Sequence, residues 1–236
     1  TGKQIFTYCY NKNSSLLKNK LLAQFDPNLV LYVDMESIVL SWSENVAKDL
    51  SVNGNNCLIK WGTSVWNSIW ILGKATSFDW VSNYLDCLNP TSLQLINNYT
   101  ISFWLNAATS QWSFYDPLSK WHNATSGWTF QWTTVGLQFV MPWVRWFNFW
   151  TLLDNKWHSF IITKDSKDWV KAFLDWNNII TDVAVVYDRS SPNARNLSIW
   201  KDTQNNRPFK GNIDEVRIYN RALSNDEIKA LYNATN

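Results

Sequence analysis

Apolar and polar residues alternate over several short stretches of this chain. In residues 99–106 (YTISFWLN), Ile101, Phe103 and Leu105 share one face of an extended backbone, because successive side chains of a strand point to opposite sides. Residues 157–163 (WHSFIIT) are rich in aromatic and β-branched side chains, which suit a pleated, half-buried surface. Residues 170–174 (VKAFL) alternate again, and 179–187 read as their antiparallel return. Residues 209–219 (FKGNIDEVRIY) turn Ile213, Val216 and Ile218 toward a core, with a break at Asp214 and Glu215. Strand-like sequence begins near Asp26, with the apolar run 29–33 (LVLYV), and turn clusters such as 51–56 (SVNGNN) separate the runs. Many short strands between turn signals predict an all-β antiparallel sandwich or barrel.

One helix is predicted, over 224–232. Ser224 and Glu227 form a capping box, each side chain satisfying a backbone amide of the other residue. Ile228, Leu231 and Tyr232 then make an apolar stripe at helical spacing. Asp226 and Glu227 sit at the positive end of the helix dipole.

Composition narrows the partners. The 236 residues suit one β-sandwich. Residues 1–25 lack a clean period and read as a tail or a junction from a preceding module, with the domain over 26–236. Asn occurs 28 times, which favours turns. The net charge is +2 and there is no run of Lys and Arg, so no nucleic-acid partner is expected. No apolar run is long enough to span a bilayer, and the most apolar stretch, 135–150, is broken by Pro142 and Arg145. The sequence starts at Thr1 without a signal-like segment and reads as a mature form or a fragment. Cys9, Cys57 and Cys87 are an odd count without metal-ligand spacing. Buried free thiols are the plain expectation, and a Cys57–Cys87 bridge is the alternative in a secreted protein.

The run 209–224 (FKGNIDEVRIYNRALS), with Glu227-Ile228 and Leu231-Tyr232 after it, resembles the last strand and closing helix of laminin G-like modules of the concanavalin A-like lectin/glucanase superfamily. The segments 49–56 (DLSVNGNN), 100–104 (TISFW) and 156–158 (KWH) are similar to the same family, in its order. The resemblance implies a two-sheet antiparallel jelly-roll sandwich with one short C-terminal helix. It also implies an extracellular or cell-surface setting, a place in a larger multidomain chain, and a non-catalytic binding or adhesion role toward glycan or protein ligands. The alternatives are a structural spacer and, with less support, a glycosidase.

Glycosidases that share this sandwich carry two carboxylates on one strand, spaced Glu-x-Asp-x-Glu or one residue longer. Glu36, Glu44, Glu215 and Glu227 are the only glutamates, and none has a second Glu at that spacing. Asp34 and Glu36 share a face but read as structural, as does His158, so no catalytic residue is expected. Asn-x-Ser/Thr triplets, for example at Asn98, Asn123 and Asn196, carry little weight in so Asn-rich a chain. For metal, the resemblance implies Ca²⁺ near the 49–56 loop. Asp49 offers a carboxylate there, Asn53 and Asn55 offer oxygens, and Asp214 adds a second carboxylate if its strand end approaches. Ca²⁺ takes about six to eight oxygens. An Asx-turn network without metal is the competing reading.

There are 17 Trp and only 7 Gly. Beside the many Asn, the Trp resemble a sugar-binding surface. Trp104 and Trp157, in strong strands, read as core. Others stand where β proteins place Gly. Trp80, Trp169 and Trp176 each follow an Asp, and Trp143 follows Pro142. In the laminin G-like family the positions matching Trp80, Trp176 and Trp200 are usually Gly. If all but Trp104, Trp157 and Trp112 were Gly, the glycine content would reach an ordinary level. The expectation is therefore that UGA codons meaning Gly stand translated as Trp, in an AT-rich gene. Trp80, Trp169, Trp176 and Trp200 should then fall in turns or at strand ends and form no ligand platform.

Overall fold

In the computed structural model, the structure describes residues 25–40, 45–60, 66–70, 73–78, 84–95, 98–108, 115–122, 126–133, 136–141, 145–149, 154–167, 169–184, 194–202 and 207–235. Its strands are β1 (Leu29–Val33), β2 (Ile38–Leu40), β3 (Asn45–Ala47), β4 (Cys57–Lys60), β5 (Trp66–Trp70), β6 (Gly73–Phe78), β7 (Tyr84–Asp86), β8 (Tyr99–Ala107), β9 (Tyr115–His122), β10 (Ser126–Thr133), β11 (Gly136–Met141), β12 (Arg145–Asn148), β13 (Trp157–Lys164), β14 (Trp169–Leu174), β15 (Asn177–Ala184), β16 (Ser198–Ile199), β17 (Lys201–Asp202), β18 (Arg207–Pro208) and β19 (Gly211–Tyr219). A helix, α1 (Asn225–Ala234), follows.

Among the described residues, an eight-stranded sheet runs β15-β14-β13-β8-β19-β6-β5, with β1 also on β19. A nine-stranded sheet runs β12-β11-β10-β9-β16-β7-β4-β3-β2, and β17 and β18 form a separate two-stranded ribbon. The strand pairs are antiparallel, from β13 on β8 in the first sheet to β10 on β9 in the second. This is the expected jelly-roll sandwich.

Alternation sets the core. Ile101, Phe103 and Leu105 from β8 and Phe160 and Ile162 from β13 meet Leu118, Phe130, Phe139 and Ile199 of the other sheet. Phe103 lies edge-on to Phe130, with ring centroids 4.7 Å apart. Trp104 is buried as expected, but on the opposite face of β8 from Ile101, Phe103 and Leu105. It is buried in a small cluster with Ala75, Trp157 and Tyr232. Its ring stacks on Tyr232 at 5.4 Å, and its indole N–H donates to Thr235 Oγ1 at 2.9 Å.

The capping box forms as predicted. Ser224 Oγ accepts from the Glu227 amide, and Glu227 Oε2 accepts from the Ser224 amide. The helix docks through Ile228 onto Leu29, Tyr32, Ile161, Phe173 and Tyr219, with Leu231 half-buried beside them. Arg221 holds this end to the start of the domain through Asp26 Oδ2 at 2.7 Å and Glu227 Oε1 at 2.8 Å.

The break foreseen at Asp214 and Glu215 is a bulge. The β19–β8 register shifts between Asp214 and Arg217, and Glu215 has φ 53°. The bulge sends Glu215 and Arg217 into a buried ion pair. Tyr32 Oη donates to the Glu215 carboxylate, and the guanidinium lies 4.1 Å over the Tyr32 ring. One cysteine expectation is corrected: Cys57 and Cys87 are bonded to each other, not free. The pairing of β4 with β7 places Leu58 opposite Asp86, which brings the flanking cysteines together. Cys9 lies outside the described residues.

Candidate functional site

The 49–56 loop is a hydrogen-bonded knot. Asp49 Oδ1 accepts from the amides of Tyr32 at 2.8 Å and Ser51 at 2.9 Å. Its Oδ2 accepts from Ser51 Oγ and the Asn55 amide, both at 2.7 Å. The Asn53 side chain donates to the Leu29 carbonyl, and that of Asn55 to the Val30 carbonyl and Ser92 Oγ. Gly54, at φ 63°, supplies the sharp turn. The loop is thus fastened to β1. Asp214 stands on β19 opposite Trp104, its Oδ1 accepting from the Glu215 amide. As folded, Asp49 meets four N–H and O–H donors, the Asn side chains aim donors at carbonyls, and Asp214 is engaged at its own bulge. This arrangement does not fit a calcium ion. Among the described residues no group of three or more His, Cys, Asp or Glu is placed to hold a metal.

A different region stands out, the face of the nine-stranded sheet turned away from the core. On β10, Trp128, Phe130 and Trp132 point inward, so Thr129, Gln131 and Thr133 point outward. The same alternation turns Ser119, Gln138, Asp86 and Ser198 outward. Strand register aligns them in two rows. One runs Asp86, Ser198, Ser119, Thr129 and Val140, and the other runs Gln131, Gln138 and Asn148. Gln138 donates to Asn148 Oδ1 at 2.6 Å.

Buried polar atoms almost always have hydrogen-bond partners, and leaving one without costs about 1–3 kcal/mol. On this sheet several have none: both carboxylate oxygens of Asp116, Ser119 Oγ and Gln138 Oε1. Three of these four atoms can only accept, unless Asp116 is protonated. Asp116 sits where β9 bulges against β10, between Tyr115 and Leu118. Burial pushes its carboxyl well above the usual carboxylate range, and the neighbouring Asp202 adds to the shift. Arg207, at the edge of the β17–β18 ribbon, lies beside Asp116. Its Nη1 is 3.9 Å from Asp116 Oδ2 and donates to Gln131 Oε1 at 3.3 Å, with a third of the side chain exposed. Asp86 is spent on the Leu88 amide and the Asn196 side chain.

Sequence reasoning missed Asp116, Ser119, Gln138 and Arg207. Outward polar residues on a strand look like solvated ones in sequence, and nothing in the pattern marks them as buried.

The tryptophans form no common surface among the described residues. Trp128, Trp132 and Trp200 are in the core. Trp169 is exposed at the start of β14 and Trp176 in the turn after it, while Trp80 and Trp143 lie outside the described residues. His158 is structural, bonded to Asp175 and Asp154.

The family model described as the concanavalin A-like lectin/glucanases superfamily matches residues 79–229. No curated protein matches the chain. Among solved structures the chain is similar to the binding domain of Paraclostridial Mosquitocidal Protein 1, with TM-score 0.68 and 19% identity, over 88% of this chain and 52% of that one. It is also similar to a chain of botulinum neurotoxin type C, whose cell entry depends on interaction with two ganglioside molecules, with TM-score 0.67 and 15% identity, over 91% and 53%. A third is domain 4 of AbnA, a GH43 extracellular arabinanase from Geobacillus stearothermophilus, in complex with arabinotriose, with TM-score 0.65 and 17% identity, over 89% and 98%. The chain spans about half the length of the toxin chains it matches. At these identities the likeness shows the fold.

Proposed function

The chain belongs to the concanavalin A-like lectin/glucanases superfamily, and from that premise we propose that it is a non-catalytic glycan-binding module of an extracellular or cell-surface protein. The observation that carries this reading is the set of buried polar atoms without hydrogen-bond partners on the outer face of the nine-stranded sheet, at Asp116, Ser119 and Gln138. A sugar offers many hydroxyl donors at short spacing, which is the complement of such a face. An anion would meet acceptors there, and an apolar ligand would leave them unmatched. The aligned amide row of Gln131, Gln138 and Asn148 gives further groups that both donate and accept.

Arg207 guards this face. Entry of a ligand requires its guanidinium to leave Gln131, and its contacts with Gln131 and Asp116 are at the long end of their range. The non-catalytic part rests on the same residues. Glycoside hydrolysis uses two carboxylates that flank the scissile bond. On this face Asp86 is engaged, and Asp116 and Asp202 are both buried, with Arg207 beside Asp116. The extracellular setting is supported by the Cys57–Cys87 disulfide, which persists in oxidising compartments. The arabinanase domain, itself extracellular and holding arabinotriose, supports both the setting and the ligand class.

A glycan array is the test, with bound glycans recovered and sized afterwards. The expected result is a discrete set of glycans, bound without calcium and recovered intact. An array with no hits removes glycan binding and leaves a protein ligand or a spacer role. Shortened glycans would make the Asp116–Asp202 pair a hydrolase centre instead.

A further inference from the structure

Two tryptophans stand on left-handed backbone, Trp176 at φ 61° and Trp200 at φ 89°. Leu174 pairs with Asn177, so Asp175 and Trp176 alone make the loop between β14 and β15. Asp175 has φ 49°, and two positive φ values in a two-residue loop are the mark of a type I′ turn. That turn matches the twist of the flanking strands and favours Asn-Gly or Asp-Gly, because the second residue is best without a Cβ. The turn is also held in place. Asp175 Oδ2 is 2.7 Å from His158 Nδ1, and its Oδ1 accepts from the Ser159 amide at 2.9 Å. The indole gains little here, being 43% exposed with only Lys229 over its ring.

Trp200 is pinned from both sides. Its amide donates to the Pro117 carbonyl at 2.6 Å, and its carbonyl accepts from the Phe209 amide at 3.0 Å. Its φ cannot relax without breaking the join between β16 and β17. Met35 and Leu88 are left-handed too, so the conformation alone is not the mark. The mark is that Trp176 takes the second place of an Asp-x type I′ turn and Trp200 a backbone pinned on both sides, where a residue without a Cβ is least strained, in a chain with 17 Trp and 7 Gly. The strand tryptophans 104, 128, 132 and 157 have ordinary φ.

We infer that positions 176 and 200 are glycine in the protein its own cell makes, encoded by UGA codons which that cell reads as glycine. UGA differs by one base from the glycine codon GGA and by one base from the tryptophan codon UGG, so both readings are chemically near. It follows that neither residue belongs to a ligand site, whatever the outer sheet face binds.

Peptide mass spectrometry on the protein isolated from its own cells tests this directly. The tryptic peptides covering 172–189 and 196–201 should each carry glycine, at 176 and 200. Tryptophan at either position overturns the inference. A second measurement uses the recombinant chain with tryptophan at both positions. W176G should raise its melting temperature by about 2–8 °C, and W176A by clearly less, since alanine keeps the Cβ. A W176G melting temperature at or below the parent value overturns the argument from backbone strain.

Discussion

His158 Nδ1 lies 2.7 Å from Asp175 Oδ2, so a strand residue of β13 grips the turn between β14 and β15. Its other nitrogen, Nε2, is 3.2 Å from Asp154 Oδ1. Both ring nitrogens therefore face acceptors, which favours the doubly protonated ring. The hydrogen bond that His158 donates to Asp175 is the main cause of a pKa raised above 6.5, with Asp154 adding to it against partial burial. A raised folded pKa gives stability that is full below the unfolded value, about 6.5, and is lost as pH rises through the folded value. Denaturant unfolding should thus show stability falling with pH just above that point, and His158→Gln should remove this slope. Lys120, whose amine burial pulls down to about 8, acts in the opposite sense at higher pH. An unchanged slope in the variant would contradict the assignment.

The Cys57–Cys87 bond closes a segment with a sequence separation of 30. Closing a loop of that length is worth about 3–4 kcal/mol in the chain-entropy account. The double variant Cys57→Ala/Cys87→Ala should melt roughly 6–16 °C lower. A melting temperature unchanged in the double variant would mean that the bond contributes nothing to the folded state.

Asp49 accepts four hydrogen bonds, one from the Tyr32 amide of β1 and three from Ser51 and Asn55 within its own loop. Asp49→Ala leaves the buried Tyr32 amide without its acceptor and should lower stability by about 2–4 kcal/mol. Because those oxygens are already engaged, millimolar calcium should leave the melting temperature of the parent where it is. A calcium-dependent rise that Asp49→Ala abolishes would make the loop a metal site after all.

Much of the fold was legible in the alternation. Ile101, Phe103 and Leu105 reach the core, and Ser224 caps the last helix, because period-two burial and capping are local properties. The bulge at Asp214 and Glu215 was legible as a charged break in an apolar strand. The burial of Trp104 was legible too, but not which cluster it joins, because both faces of β8 are covered, one by the second sheet and one by α1. The knot at Asp49 was legible as a turn but not as a set of donors, since sequence does not say which way an Asn amide points. The outer-face site was not legible. Ser119 and Gln138 matter because they are buried without partners, and that depends on what the register of β9, β10 and β11 brings side by side.

Ser119 is the residue on which glycan binding by the outer sheet face is most directly measured. Its hydroxyl is buried and without a partner, so it weakens the fold unless a ligand uses it. Calorimetric titration of a glycan bound on the array, against the parent and Ser119→Ala, measures this in one experiment. The predicted result is affinity about 5–10-fold weaker in Ser119→Ala, as for the loss of one hydrogen bond, with a melting temperature equal to or above the parent. Unchanged affinity together with a lower melting temperature would contradict it, because the hydroxyl would then serve the fold and not the ligand.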